Sequence, residues 1–235
     1  MDSTLAPKPI INVAAICGST RKASFHHGLI RAAIELATQA IDGMSIVNVD
    51  ISLLPMLNTD LEVDDKFPPE VEAFRQKILQ SECFLFASPE YNYTVTAPLK
   101  NAIDWASRPP NVFADKAAAI VSAGGGFGGG LAQYSLRQNG VFLDLHFINK
   151  PEFFLKAFEG PPKFDDEADT GDNITIVVTL ADVLCYHSCL SLTNRSRFCI
   201  DMNHHLRCGL TPNLHPFFLR SSLKPPDLHL PKIRD

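Results

Sequence analysis

Short apolar runs recur along the first 150 residues, separated by stretches in which apolar side chains follow helical spacing. The runs cover residues 10–17, 45–49, 83–87, 117–121 and 141–147. Continuous apolar runs that are rich in β-branched residues are typical of strands buried on both faces of a parallel sheet. The pattern therefore predicts five parallel strands.

Four helices are predicted between and after these strands, over residues 25–40, 70–80, 97–107 and 131–139. Ser24 is a candidate N-cap of the first helix, and Pro69 suits the first turn of the second. Gly140 marks the expected end of the fourth helix. Strands that alternate with helices predict an α/β fold with right-handed crossovers.

The loop of residues 18–24 follows the first strand and leads into a helix N-terminus. Such an end presents unpaired N–H groups and a partial positive charge, which suits an anion. Ser19, Arg21 and Ser24 add two hydroxyls and a guanidinium, but the loop lacks the glycine spacing of a dinucleotide fold or of a P-loop. The loop therefore favours one terminal phosphate, as in FMN, although an ordinary capped loop explains it equally well.

Two further loops follow the third and fourth strands, where open α/β sheets bind ligands. Residues 88–93 place a turn proline, two tyrosines and an amide at a strand end, and these could line a flat ring or pack as lids over the core. Residues 124–130 contain six glycines, which allow a ligand to approach the backbone closely. A flexible connector is the alternative for that loop, and its position directly after a strand favours ligand binding.

Taken in order, these loops resemble the NADPH-dependent FMN reductase family and, within it, the plant NAD(P)H:quinone oxidoreductases. The resemblance rests on Gly-Ser-Thr-Arg-Lys-Ala-Ser-Phe at 18–25, Ser-Pro-Glu-Tyr-Asn at 88–92 and Pro-Leu-Lys-Asn-Ala-Ile-Asp-Trp at 98–105, and it extends over about residues 9–165. It implies a flavodoxin-like, doubly wound five-stranded parallel sheet of order 2-1-3-4-5. Relatives often carry Asn-Arg or His-Arg where this chain has His26-His27, a departure expected to weaken the phosphate site slightly.

The resemblance also implies the cofactor and the residues that hold it. FMN would be bound and NAD(P)H would be the electron donor, with two-electron, ping-pong hydride transfer to a quinone or another flat acceptor. No side chain is implied as a catalytic acid, base or nucleophile. The implied cofactor residues are Ser19, Arg21, Ser24 and Phe25 at the phosphate, Pro89, Glu90, Tyr91 and Asn92 at the ribityl chain and ring, and Ser122, Gly124, Gly125 and Gly126 at the other ring edge.

Other functions remain open from the residues alone. A flavodoxin-like electron carrier would use the same loops to bind FMN and pass electrons to partner proteins, and an isoform without its closing helix would be inactive. By resemblance the enzyme is expected to form a homodimer or homotetramer.

The composition narrows the classes of partner and the compartment. The net charge is −5, without the basic excess of a nucleic-acid binder. Cys17 and Cys83 lie in apolar runs, and no basic region followed by an apolar stretch begins the chain. We expect a reduced, cytoplasmic protein that binds neither nucleic acid nor a membrane.

The sequence changes in type near residue 170. Residues 171–235 contain one alanine, Ala181, and neither glutamate nor glutamine, so good helix formers have almost vanished. The closing amphipathic helix of the family is not recognisable there. We therefore predict a reductase domain over residues 1–167 and an atypical, poorly ordered tail over 168–235, with a variant or mispredicted C-terminus as the simplest explanation.

Two functional interpretations of this tail are weak. Residues 174–192 carry one charge, Asp182, and approach the length of a membrane span, but polar side chains interrupt them. A set of four cysteines and three histidines could suggest zinc, yet neither CxxC nor HxxxH spacing occurs. These residues are Cys185, His187, Cys189, Cys199, His204, His205 and Cys208.

Overall fold

The computed structural model describes residues 10–64, 66–160 and 162–170. Within them the chain forms one parallel sheet with helices on both faces. The strands are β1 (Ile11–Cys17), β2 (Met44–Val49), β3 (Cys83–Ala87), β4 (Lys116–Gly124), β5 (Leu145–Phe147) and β6 (Phe153–Lys156). The helices are α1 (Phe25–Ala40), α2 (Pro69–Gln80), α3 (Ala97–Ser107) and α4 (Gly130–Leu143), with a short 3-10 turn at Thr59–Leu61.

The strand order is β2-β1-β3-β4-β5, which confirms the predicted 2-1-3-4-5 topology. The described sheet has six strands rather than five, because β6 also pairs with β4. β5 pairs with the start of β4, at Lys116–Ala118, and β6 pairs with its end, at Val121–Gly124. The edge of the sheet beside β4 is therefore built from two short strands placed end to end.

The predicted strand over residues 141–147 is wrong in its first half. α4 continues through Leu143, and Val141 and Phe142 are 85% and 81% exposed rather than buried in the sheet. Gly140 does not end the helix. It lies inside α4, where a Cβ would collide with the ring of Phe147, so glycine is needed there for packing. Asp144 ends it instead, with a left-handed φ of 57° that aspartate tolerates better than most residues.

The two faces of the sheet explain the continuous apolar strands. In β1, Val13 and Ala15 belong to a core cluster shared with α1, while Ala14 and Ile16 belong to a cluster shared with α2, α3 and α4. Successive side chains of a strand point to opposite faces, so a strand covered on both sides must be apolar throughout.

The segment after β6 packs against the start of α1. The rings of Phe164 and Phe25 stack with centroids 4.3 Å apart, and Arg31 forms an ion pair with Asp169. A Cβ on Gly28 would collide with the carbonyl oxygen of Ala168, so α1 and this segment are in close contact. The chain thus stays packed at least two residues past the predicted boundary at 167.

The remainder of the predicted tail, from residue 171, lies outside the described residues. The membrane-span and zinc interpretations of residues 174–208 therefore lie outside them too. In the described part of the chain, no helix is long and apolar enough to cross a bilayer.

The fold places the three predicted loops side by side. The central strands end close together: Cys17 and Ala87, the last residues of β1 and β3, are in register with each other, and Ala87 is in register with Val121, near the end of β4. The loops that follow these strands therefore leave the same edge of the sheet, on the side where ligands bind in this class of fold.

Candidate functional site

A cavity of about 310 Å³ opens at this edge of the sheet, between the three loops. Its size falls at the lower end of the range for small-molecule sites. Ten of the twelve predicted cofactor residues line it: Ser19, Arg21, Ser24, Phe25, Pro89, Glu90, Tyr91, Gly124, Gly125 and Gly126.

The other two predicted residues, Asn92 and Ser122, do not line this cavity. Asn92 lies at the exposed tip of a tight turn, with φ of 51°, and the backbones of Tyr91 and Thr94 exchange two hydrogen bonds across it. Ser122 is fully buried: its hydroxyl donates to the Gly128 carbonyl and accepts from the Gln133 amide, both at 2.7 Å. Ser122 thus supports the glycine loop from behind, and a cofactor contact by either residue stays a prediction.

The first loop provides hydroxyl donors and a guanidinium at the start of α1. Ser24 is the N-cap, and its hydroxyl oxygen accepts the His26 backbone N–H at 3.3 Å. The hydroxyl oxygen of Ser19 accepts the Arg21 backbone N–H at 3.2 Å. Since both oxygens act as acceptors in these bonds, both hydroxyl protons remain available to an anion. The Arg21 side chain is exposed and lies near the Phe25 ring.

His26 also lines the cavity, although the sequence analysis did not assign it to the site. It is polar and only 4% exposed. Its Nε2 accepts the backbone N–H of Ala123 at 3.1 Å, and its ring also forms a hydrogen bond to the backbone of Ser88. Burial lowers the pKa of His26 to about 3, and the positive charges of His27 and Arg21 act in the same direction. The imidazole is therefore neutral at physiological pH.

His27 contacts the first loop through its ring, which donates to the carbonyl oxygen of Ser19 at 3.0 Å. The expected weakening of the phosphate site by His26-His27 stays a prediction. The structure shows that both imidazoles bind loop backbone.

Glu90 makes the two helix N-termini that face the cavity different in charge. One carboxylate oxygen, Oε2, accepts the backbone N–H groups of Leu131 at 2.8 Å and Ala132 at 3.1 Å, in the first turn of α4. The first turn of α1 carries no acidic residue. Because a carboxylate already neutralises the positive end of α4, the start of α1 is the favourable place for a phosphate.

The glycines of the third loop serve two purposes. At Gly125 and Gly126 an added Cβ would meet nothing within 4 Å, so the backbone borders open space on the cavity side. Gly128 has φ of +60°, and a Cβ there would come within 2.6 Å of the Phe154 backbone. The first glycines leave room for a ligand, whereas Gly128 permits close packing against β6.

Besides His26, four cavity residues escaped the sequence analysis: Ala123, Phe127, Gly129 and Phe158. Phe127 packs against Phe154 of β6, with centroids 5.3 Å apart, and Phe158 meets the edge of Phe25 at 5.9 Å. Phe158 could not be found by loop position, because it follows β6, a strand that the pattern did not predict. Phe127 lay within the glycine loop and could have been included.

The residues present fit FMN. Hydroxyls, a guanidinium and a helix start without acidic residues suit a phosphate. The open backbone at Gly125 and Gly126 and the aromatic side chain of Tyr91 suit a flat ring. A sheet of this order with such a site at its switch point defines a flavodoxin-like flavoprotein.

Comparison with known families leads to a narrower conclusion. The model of the NADPH-dependent FMN reductase family matches residues 11–160. The chain belongs to this family, so the family resemblance and the fold class expected from the sequence are both confirmed.

Relatives with assigned names are similar over most of the chain. An NAD(P)H:quinone oxidoreductase from Solanum tuberosum is 67% identical over 171 residues, which are 73% of this chain and 88% of that one. An NADPH:quinone oxidoreductase from Arabidopsis thaliana is 65% identical over 175 residues, 74% of this chain and 89% of that one. Among solved structures, a flavoenzyme NAD(P)H:(acceptor) oxidoreductase from Paracoccus denitrificans superposes with a TM-score of 0.65 and 28% identity, covering 76% and 96% of the two chains.

Proposed function

We propose that this chain is an FMN-dependent NAD(P)H:quinone oxidoreductase. The observation that carries the proposal is the difference between the two helix starts at the cavity. The first turn of α1 carries no acidic residue and lies beside Ser19 and Ser24, whereas the first turn of α4 is capped by Glu90. This asymmetry gives FMN one orientation, with its phosphate at α1 and its ring toward the glycine loop. The names of the Solanum and Arabidopsis relatives support the donor and the acceptor class.

The proposed contacts follow that orientation. The phosphate is bound by Ser19, Arg21, Ser24 and Phe25; the ribityl chain and ring lie along Pro89, Glu90, Tyr91 and Asn92; and Ser122, Gly124, Gly125 and Gly126 form the other edge. For Asn92 and Ser122, a contact requires movement of the turn or of the loop, so these two are the least supported.

Bound FMN supplies the redox chemistry, accepting two electrons from NAD(P)H and delivering them to a quinone. The side chains of this chain bind and orient; the proposal assigns none of them a proton-transfer or nucleophilic step. Both ring nitrogens of His26 and one carboxylate oxygen of Glu90 are occupied by backbone groups. Burial raises the pKa of the Cys17 thiol to about 11, so it stays protonated and is a poor nucleophile.

Further parts of the proposal concern location, assembly and extent. A cytoplasmic location agrees with Cys17 and Cys83, which are buried and form no disulfide in the described part of the chain. A homodimer or homotetramer, as the family resemblance implies, would cover some of the exposed apolar side chains of residues 53–63. The proposed reductase domain comprises residues 1–167 and the proposed atypical tail residues 168–235, of which Ala168 and Asp169 contact α1.

Initial rates with NADPH and a water-soluble benzoquinone test the activity. Because donor and acceptor use the same open side of the cavity in turn, double-reciprocal lines should be parallel when both substrates are varied. Intersecting lines would contradict the alternating use of one site. FMN-loaded protein that transfers electrons from NADPH to no quinone would instead favour the electron-carrier alternative.

A further inference from the structure

The imidazole of His26 joins three segments that are far apart in sequence: the start of α1, the loop after β3 and the end of β4. It belongs to the first turn of α1, its Nε2 accepts the Ala123 N–H at 3.1 Å, and its ring bonds the Ser88 backbone. Its own backbone N–H donates to the Ser24 hydroxyl. His26 therefore contacts all three segments, the first through its backbone N–H and the other two through its ring.

The hydrogen-bond chemistry fixes how this ring must be protonated. Nε2 accepts a hydrogen bond and so carries no proton, which leaves Nδ1–H as the donor to the Ser88 carbonyl. A neutral imidazole with one acceptor and one donor, on opposite sides of the ring, matches both backbone partners. The side chain is 4% exposed, so loss of the ring would leave both partners buried and unpaired.

We propose that His26 is a positioning residue of the cofactor site. As the Nδ1–H tautomer it holds Ser88, in the loop after β3, and Ala123, at the end of β4, at a fixed distance from the start of α1, and thereby sets the spacing between the phosphate and ring subsites. The proposal rests on the proposed FMN function. His26 acts through the loops, because both of its nitrogens are taken up by backbone groups.

If His26 only filled space in the core, its substitutions would have different effects. It would contribute packing area, so an apolar residue of similar size would replace it without altering the ligand. The observed arrangement predicts that hydrogen-bonding capacity matters more than volume. Gln carries an acceptor and a donor on one planar group, so it can restore both bonds, whereas Leu can restore neither.

The experiment compares the full-length chain with His26→Leu, His26→Gln and His146→Leu. His146 is an exposed histidine on β5, paired with Asp115 near the opposite ends of the strands, and serves as the matched control. Three quantities are measured: the Kd of FMN by fluorescence quenching, the visible circular dichroism of the bound flavin, and the thermal stability of the FMN-free protein.

We expect His26→Leu to raise the Kd of FMN about tenfold or more and to change the visible circular dichroism. His26→Gln should recover most of the affinity and the wild-type spectrum, and His146→Leu should leave both unchanged. If His26→Leu does not fold, the outcome with His26→Gln decides: a wild-type spectrum supports the proposal, and an altered one overturns it.

Two results would overturn the positioning role alone. One is FMN binding to wild type and His26→Leu with equal affinity and the same spectrum. The other is that His26→Leu and His26→Gln weaken FMN binding alike, each in proportion to its loss of thermal stability. If the wild-type chain itself binds no FMN, the proposed function fails first and the role of His26 fails with it.

Discussion

Glu90 accepts the backbone N–H of Leu131 at 2.8 Å, so a residue of the loop after β3 caps the helix that follows β4. The same carboxylate oxygen accepts the next N–H, of Ala132. This contact fixes the glycine loop between two anchored ends and removes a competing anion site. It is the reason that the phosphate of FMN is assigned to α1.

Replacing Glu90 with Ala should therefore destabilise the protein as loss of an N-cap does, by about 0.5–2 kcal/mol. Glu90→Gln keeps a carbonyl acceptor and should cost less. Urea denaturation of the FMN-free chain measures both. Glu159→Ala, at an exposed ion pair with Lys156, is the control, and a cost at Glu90 no larger than at Glu159 would show that the cap contributes little.

Arg21→Ala should weaken FMN binding by on the order of 1.5–3 kcal/mol, since a charge-assisted hydrogen bond to the phosphate is lost. Lys22→Ala removes the same charge from an exposed neighbour that does not line the cavity, and should change the affinity much less. Fluorescence titration distinguishes the two. Equal losses would mean that general attraction of the anion, not a contact by Arg21, stabilises the complex.

The stability of the protein should fall on acidification in a way that depends on His26. Its folded-state pKa of about 3 lies below the ordinary value of 6.5, so between these values only the unfolded chain binds the proton. The free energy of unfolding should decrease by about 1.4 kcal/mol for each pH unit lost in that window, and the contribution is fully present above it.

Denaturation of wild type and His26→Gln at about pH 7 and about pH 5 isolates this contribution, because the carboxylates titrate alike in both. The variant should show the shallower pH dependence. Identical slopes would indicate that His26 binds a proton as readily in the folded protein as in the unfolded chain, so that its pKa is not lowered.

Gly28→Ala should destabilise the protein although alanine is the better helix former by about 1 kcal/mol. The added Cβ would collide with the Ala168 carbonyl and push the segment after β6 away from α1. Thr38→Ala, on the exposed face of the same helix, is the control and should be neutral or stabilising. Thermal denaturation measures both, and a stabilising Gly28→Ala would mean that residues 164–169 are not held against α1.

The sequence was a good guide where a pattern is local. β3 and α3 match their predicted bounds, and Ser24 is the predicted N-cap, because apolar runs and capping residues act over a few positions. The site loops could be located because the ends of parallel strands share one edge of the sheet.

The errors arise where tertiary contacts override local signals. Val141 and Phe142 look like strand residues, yet they belong to α4. Gly140 is inside the helix and does not end it, and a glycine is needed there because the Phe147 ring occupies the space of a Cβ. β6 is short and pairs only with the end of β4, so nothing in its own sequence marks it as part of the sheet. The role of His26 depends on Ala123, 97 positions away, and spacing alone could not reveal it.

The most direct test of the account is an absorbance spectrum of the purified full-length chain after incubation with FMN and removal of free ligand, followed by anaerobic addition of NADPH. The account predicts a retained flavin spectrum with about one FMN per chain, whose visible bands bleach on NADPH addition and return when a quinone is added. Correctly folded protein that retains no flavin, or flavin that NADPH does not bleach, would contradict it.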